Sequence, residues 1–179
     1  MKRGNWMLSF MAVTAVLIVG CDKNNNENTE KNAYNVIDSA FVINASMSNF
    51  AEISAGQTAA ERADDTAVSN YGKQMVTEHI TASQELDSVV VGSGIATRDS
   101  LDDAHLMLMD SLQTLTGMDL DTVYIISQIR DHQMAISIFQ NEASNGNNKR
   151  LKNFASDMLP HLHEHLDKAQ NIVDRLRQQ

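Results

Sequence analysis

Residues 151–176, LKNFASDMLPHLHEHLDKAQNIVDRL, decide the fold of this chain, because their apolar residues recur with the period of an amphipathic helix. The stripe consists of Leu151, Phe154, Met158, Leu162, His165, Ala169, Ile172 and Leu176. A helix of a globular protein buries such a stripe against its neighbours. One member of this stripe, His165, is polar, so the segment predicts both a packed helix and an imidazole in its core.

The same 3.6-residue period extends upstream and predicts three more long helices and one short one. The three long helices cover residues of about 33–60, the segment from Asp64 or Asp65 to Gly92, and residues of about 119–145. The short helix covers about 99–115, and Ser100 begins a capping box at its start. Proline occurs once and glycine eight times, which favours long helices over a turn-rich β fold. Short connections force antiparallel neighbours. Residues 33–179 are therefore predicted to form an all-α, antiparallel four-helix bundle with one extra short crossover helix.

The single proline, Pro160, lies inside the last predicted helix. It removes one backbone donor, so the helix must either kink or break there. Apolar residues continue in phase across Pro160, which favours a kink.

Residues 1–20 have the pattern of a bacterial lipoprotein signal peptide. Lys2 and Arg3 precede a short apolar run over 7–19, and Gly20 stands before Cys21 as in a lipoprotein cleavage box. The run is shorter than the roughly 20 apolar residues of a membrane-spanning helix. We expect Cys21 to be lipidated and to become the new N-terminus; the alternative is an uncleaved signal anchor.

Lipidation would place the protein in the cell envelope, facing the periplasm or the cell surface, with the outer membrane favoured over the inner. The polar segment that follows Cys21, residues 21–32, predicts a flexible tether. Cys21 is the only cysteine, so no disulfide or cysteine-based zinc site is expected. The net charge of −9, without a basic stripe, argues against nucleic-acid binding. The membrane is thus the one predicted partner, and the sequence indicates no protein partner.

Histidines occupy the apolar stripes of three different predicted long helices, at His79, His132 and His165. Burying an imidazole costs free energy unless its nitrogens find partners. The chain therefore predicts either a hydrogen-bonded polar network inside the bundle or a metal site there.

Antiparallel geometry predicts which of these side chains meet. His132 and His161 lie equally far from the turn near Gly146, so they should be level, and His161 and His165 share one helix face. A turn centred near Arg62 would instead place His79 about 10 Å along the axis from the level of Glu52.

The candidate metal ligands are Glu52, His79, His132, His161 and His165. Neutral imidazole and carboxylate suit zinc, copper or iron, so a divalent transition metal is the expected cofactor. The acids that precede the histidines, Glu78, Asp131 and Glu164, point about 100° away from them, and we expect these acids to support the ligands or face solvent.

The order of several segments resembles a known family. Glu52 is followed by Val68–His79 (VSNYGKQMVTEH), then by Tyr124–His132, then by Leu151–His165. This order over most of residues 35–175 resembles the domain of unknown function 4142 family of bacterial envelope proteins. The resemblance implies a ferritin-like helical fold, a set of Glu52, His79, His132 and His165, and no established activity.

Ferritin-like di-iron proteins carry Glu-x-x-His on two helices. Here the residues three before the histidines are Val76, Ile129 and Leu162, which argues against di-iron oxidation or iron storage. The preferred hypothesis is a lipid-anchored envelope bundle that binds a metal ion or uses a buried His/Glu network for rigidity, without catalysis. The alternatives are a metal-dependent redox or hydrolytic enzyme, and a structural or partner-binding module in envelope stress.

Overall fold

The computed structural model describes residues 33–178 and contains five helices and no strand within that range. Four helices are long and one is short. They are α1 (Val36–Arg62), α2 (Thr66–Val90), α3 (Asp103–Thr114), α4 (Gly117–Asn145) and α5 (Lys149–Leu176). The predicted all-α bundle of four long helices with one short crossover helix is confirmed.

Two antiparallel hairpins, α1–α2 and α4–α5, make up the bundle. The start of α2 and the start of α4 lie at the same end, because Val68 and Leu120 belong to one core cluster. The chain must therefore travel the length of the bundle between the end of α2 and the start of α4. Residues 91–116, including α3, make this crossover, and the backbone N–H of Arg98 donates to the Ser46 hydroxyl on α1 along the way.

Polar side chains fix where the helices begin. The Asp65 carboxylate accepts from the N–H groups of Ala67 and Val68 and caps α2. The predicted capping box at Ser100 is wrong, because Asp102 caps α3 by accepting from the N–H of His105. Helix α4 begins at Gly117, whose φ of +62° lets the chain turn directly out of the crossover.

Two glycines bring α1 and α2 into close contact. A Cβ atom on Gly72 would lie 2.7 Å from the backbone oxygen of Gly56 and 2.8 Å from the backbone nitrogen of Ala60. Only hydrogen fits at this position without moving a backbone. The pairing of Gly56 with Gly72 centres the hairpin at Asp64, two residues later than the predicted Arg62.

The interior consists of two apolar clusters separated by a polar layer. One cluster contains Tyr71, Leu112 and Leu120, and the other contains Phe41, Phe139 and Leu151. The buried polar layer between them comprises Asn49, Glu52, His79, Gln128, His132 and His165. His79, His132 and His165 thus lie in the middle of the bundle.

Helix α5 continues through Pro160 without a break. The predicted signal peptide (1–20), the lipidation site Cys21 and the tether (21–32) lie outside the described residues. Within residues 33–178, no helix combines the length and the apolar character needed to cross a membrane.

Candidate metal centre

Three histidines from three helices meet in the polar layer. His79 comes from α2, His132 from α4 and His165 from α5, and their exposed fractions are 6%, 1% and 3%. The three ring centroids lie 5.2–5.9 Å apart. One nitrogen of each ring lies within 4.8 Å of one nitrogen of the other two, so the cluster could hold a metal ion.

The outer nitrogen of each ring contacts a hydrogen-bond acceptor. His79 Nδ1 lies 3.0 Å from Asn49 Oδ1, His132 Nδ1 lies 2.9 Å from the backbone oxygen of Gln128, and His165 Nε2 lies 2.6 Å from Glu78 Oε2. A backbone carbonyl, a carboxylate and an amide oxygen can only accept, so with Asn49 Oδ1 facing His79 each of these nitrogens carries the proton. The other nitrogen of each neutral ring then carries a lone pair.

These lone pairs point inward toward one another. His132 Nε2 and His165 Nδ1 are 3.2 Å apart, yet neither has a proton to give. Two acceptors at this distance repel unless a cation lies between them. Histidine ligands of metals characteristically donate their second N–H to a carbonyl or carboxylate, which is the arrangement of all three rings here.

One pair of ring nitrogens has the spacing found in a tetrahedral metal site. Metal–nitrogen bonds of about 2.0–2.1 Å place the ligand nitrogens about 3.3 Å apart. The pair formed by His132 and His165 already satisfies this spacing. One nitrogen of His79 lies within 4.8 Å of a nitrogen of each of the other two rings.

Burial keeps the three imidazoles neutral. It lowers the pKa of His132 to about 4 and holds the pKa of His79 well below its ordinary value, with the neighbouring histidines adding to the effect. Burial also lowers the pKa of His165, although the hydrogen bond with Glu78 opposes it. Neutral rings are the form that binds metal ions.

Several buried polar atoms around the cluster have no hydrogen-bond partner within the part of the chain that the structure describes. They include Asn49 Nδ2, Glu52 Oε2, His79 Nε2, the Tyr124 hydroxyl and Gln128 Oε1. Each such atom costs roughly 1–3 kcal/mol in a closed protein interior. His79 Nε2 could therefore interact with a bound ion, a water molecule or a small ligand.

Glu52 lies behind His132 rather than among the inward nitrogens. Its Oε1 is 3.7 Å from His132 Nδ1, the nitrogen that donates to Gln128. Burial and the charge of Asp131 raise the pKa of Glu52 to about 8, despite a hydrogen bond from Gln128. Glu52 is therefore largely protonated in the metal-free protein at neutral pH, and its carboxyl group lies next to the outer nitrogen of His132.

His161 does not join the cluster, and His132 meets His165 instead. Side chains tilt toward the N-terminus of their own helix, so in an antiparallel pair the two sets lean in opposite directions along the axis. A residue of α4 therefore meets a partner on α5 about one turn beyond the level position. His161 is exposed and lines a cavity beside the cluster.

The acids that precede the histidines have three different positions. Glu78 binds His165, on the neighbouring helix, rather than its own neighbour His79. Asp131 is buried and pairs with Arg130. Glu164 is exposed at the cavity. None of the three supplies an inward-pointing oxygen within the described structure.

The cavity has a volume of about 420 Å³ and opens between α2 and α5. Its inner end reaches His79 and His165, and its walls include Phe139 and Leu162. Two of the three candidate ligands are thus accessible to a small molecule from outside.

Sequence reasoning missed Asn49, Gln128 and Tyr71. Asn49 binds His79, the backbone of Gln128 binds His132, and the Tyr71 hydroxyl donates to the backbone oxygen of His165 at 3.2 Å. The spacing of Asn49 and Glu52 on one helix face was the available signal for Asn49. A backbone acceptor such as the Gln128 carbonyl leaves no signal in a sequence.

Comparison with known proteins agrees with this architecture. The chain resembles a crystal structure of a DUF305 fragment from Deinococcus radiodurans, with a TM-score of 0.71 over 80% of this chain and 99% of that chain. At 11% identity the likeness shows a shared helical, ferritin-like fold and nothing about activity. No curated protein matches the sequence. The profile of the domain of unknown function family DUF4142 matches residues 23–172. The chain therefore belongs to the DUF4142 family.

Proposed function

We propose that this protein is a lipid-anchored bundle of the bacterial cell envelope that binds one divalent transition-metal ion through His79, His132 and His165. The observation that carries the proposal is the convergence of three unprotonated ring nitrogens, each ring held by an acceptor on its outer side. Three imidazoles suit zinc, copper or iron. Sites with three protein ligands usually keep a further position for water or substrate.

Supporting residues complete this proposed site. Glu78 holds His165 with a charged hydrogen bond, which raises the basicity of the ligand nitrogen. Asn49 and the Gln128 backbone orient the other two rings.

The proposed anchor is a lipid on Cys21. Support comes from the charged and apolar run before Cys21 and from the family match, which begins at residue 23. Replacing Cys21 by serine should move the protein from the membrane fraction to the soluble fraction of the cell. Retention of the Cys21→Ser variant in the membrane would contradict lipid anchoring.

Metal content tests the proposed site directly. The purified protein should contain or take up one equivalent of metal, measured by elemental analysis and calorimetry. His79→Ala, His132→Ala and His165→Ala should each weaken binding by at least about tenfold, since each removes one ligand. His163→Ala, an exposed histidine on the same helix as His165, is the matched control and should change nothing.

The ligand set predicted from the sequence includes His161, whereas the three histidines that converge in the structure do not include it. The His161→Ala variant distinguishes these two sets. Its exposed position predicts a small effect on affinity. Absence of stoichiometric metal with zinc, copper and iron alike would remove the metal proposal and leave a structural or partner-binding envelope module.

The cavity favours a second candidate function, a metal-dependent hydrolytic or redox enzyme. It gives outside molecules access to His79 and His165, as a catalytic metal requires. Zinc-loaded protein should then hydrolyse p-nitrophenyl acetate, or copper- or iron-loaded protein should turn over hydrogen peroxide, faster than His79→Ala protein. Rates equal to those of the variant in both assays would exclude these activities.

A further inference from the structure

The cavity beside the histidines is larger than a metal ion requires. Its volume is about 420 Å³, whereas a water molecule occupies roughly 30 Å³ in the liquid. Pockets for small organic ligands begin at about 300 Å³. The space therefore matches a molecule of that class rather than a single coordinated water.

The walls of the cavity are mostly apolar. Ala82, Phe139, Met158 and Leu162 line it, and Phe139 and Leu162 are buried. Such walls stabilise the apolar body of a ligand by removing its surface from water.

The inner end of the cavity is polar and has unused hydrogen-bonding capacity. His79 and Asn49 line it, and both are more than nine-tenths buried. His79 Nε2 and Asn49 Nδ2 have no partner among residues 33–178. The ligand end that reaches this point must therefore be polar, with a lone pair that a metal or an amide N–H can use.

The cavity carries carboxylates, which select against anions. Glu78, Glu85 and Glu164 all line it, and His161 is the exposed histidine among them. Three carboxylates outweigh the charge of one divalent ion held by neutral imidazoles, so an anion is disfavoured relative to a neutral ligand even with the metal bound.

From the volume, walls, inner end and charge together, we propose that the cavity binds a small, neutral or cationic organic molecule. Its apolar body packs against Phe139 and Leu162, and its nitrogen or oxygen lone pair fills the open position of the metal held by His79, His132 and His165. This inference rests on the proposed metal site.

The test uses full-length protein loaded with Co²⁺, whose visible spectrum reports the ligands around the ion. Three probes are titrated: 4-phenylimidazole, imidazole and benzoate. The spectrum should shift with 4-phenylimidazole at a concentration at least about tenfold lower than with imidazole, because the phenyl ring is buried. Benzoate, of similar size but anionic, should require at least about tenfold more than 4-phenylimidazole.

A variant whose side chain fills the cavity tests where the probe binds. Ala82→Trp should weaken 4-phenylimidazole binding at least about tenfold and leave Co²⁺ affinity unchanged, since Ala82 lines the cavity one helical turn from His79 and is not itself a ligand. Gln84→Trp, on the exposed face of the same helix, should leave both unchanged. Circular dichroism verifies that both variants fold, and the comparison of probes on the unmodified protein stands without them.

The outcomes separate the two proposals. If Co²⁺ binds but no probe shifts the spectrum, or if benzoate binds as well as 4-phenylimidazole, the organic-ligand inference is wrong and the metal site stands. If Co²⁺ does not bind, the metal site fails and this inference fails with it.

Discussion

Replacing Asn49 and His79 together by leucine should stabilise the metal-free protein. The change removes two buried, unpaired atoms, Asn49 Nδ2 and His79 Nε2. Each costs roughly 1–3 kcal/mol in the native state. Against this, the variant loses one neutral hydrogen bond of about 0.5–1.5 kcal/mol and accepts some overpacking. We expect the free energy of unfolding to rise by about 1–3 kcal/mol.

The same substitution should lose most or all of this advantage when metal is present. A metal that binds only the native state stabilises it by about 2.7 kcal/mol at a free concentration one hundred times its dissociation constant. The double variant lacks one ligand and should lose most of this gain. The stability advantage seen in chelator should therefore shrink to near zero or reverse in the presence of metal.

Urea unfolding followed by far-ultraviolet circular dichroism measures both quantities, with chelator in one series and zinc in the other. His163→Leu, on an exposed position, is the control and should change stability by less than about 0.5 kcal/mol. If the Asn49→Leu/His79→Leu variant is less stable than the native sequence in chelator, the polar pair is a structural network and our reasoning is refuted.

Three further outcomes follow from the structure. Glu78→Ala should weaken metal affinity about 10–100-fold, while Glu164→Ala should leave it nearly unchanged, because only Glu78 holds a ligand; calorimetry measures both. Asp65→Asn keeps an α2 cap but loses the ion pair with Arg175, whose hydrogen bonds lower the pKa of Asp65 from 3.8 to about 2. The pair should therefore raise the free energy of unfolding above pH 4, and this difference between the two proteins should be lost as the pH falls through about 2. Gly72→Ala should destabilise the protein by about 2–3 kcal/mol in thermal unfolding, since its Cβ would meet backbone atoms at 2.7 and 2.8 Å.

The sequence predicts the helices well because their apolar stripes are long and regular. Each of the four long helices has the predicted type, and the stripe positions His79, His132 and His165 are buried as expected. The boundaries are less certain where several residues can cap, as at α3, where Asp102 and Ser100 compete.

The site was harder to predict because it depends on where the turns are centred and on how side chains lean. With the first turn centred at Asp64 instead of Arg62, the α1 residue that lies level with His79 is Asn49 rather than Ala45. The tilt of side chains along α4 and α5 substitutes His165 for His161 as the partner of His132. Neither the position of the turn nor the tilt of the side chains changes the period of the apolar residues. The apolar pattern therefore cannot predict which side chains meet.

The placement of the polar layer between two apolar clusters has a consequence for how the bundle opens. The polar layer holds several unpaired atoms, so the apolar contacts of one cluster do little to stabilise the other cluster across it. Amide hydrogen exchange in the apo form should therefore divide the molecule into two cooperative units, one at each end. A metal ion bound by α2, α4 and α5 would couple these units, so they would unfold together. The fraction of the domain that unfolds in one cooperative step would then depend on whether the metal is bound.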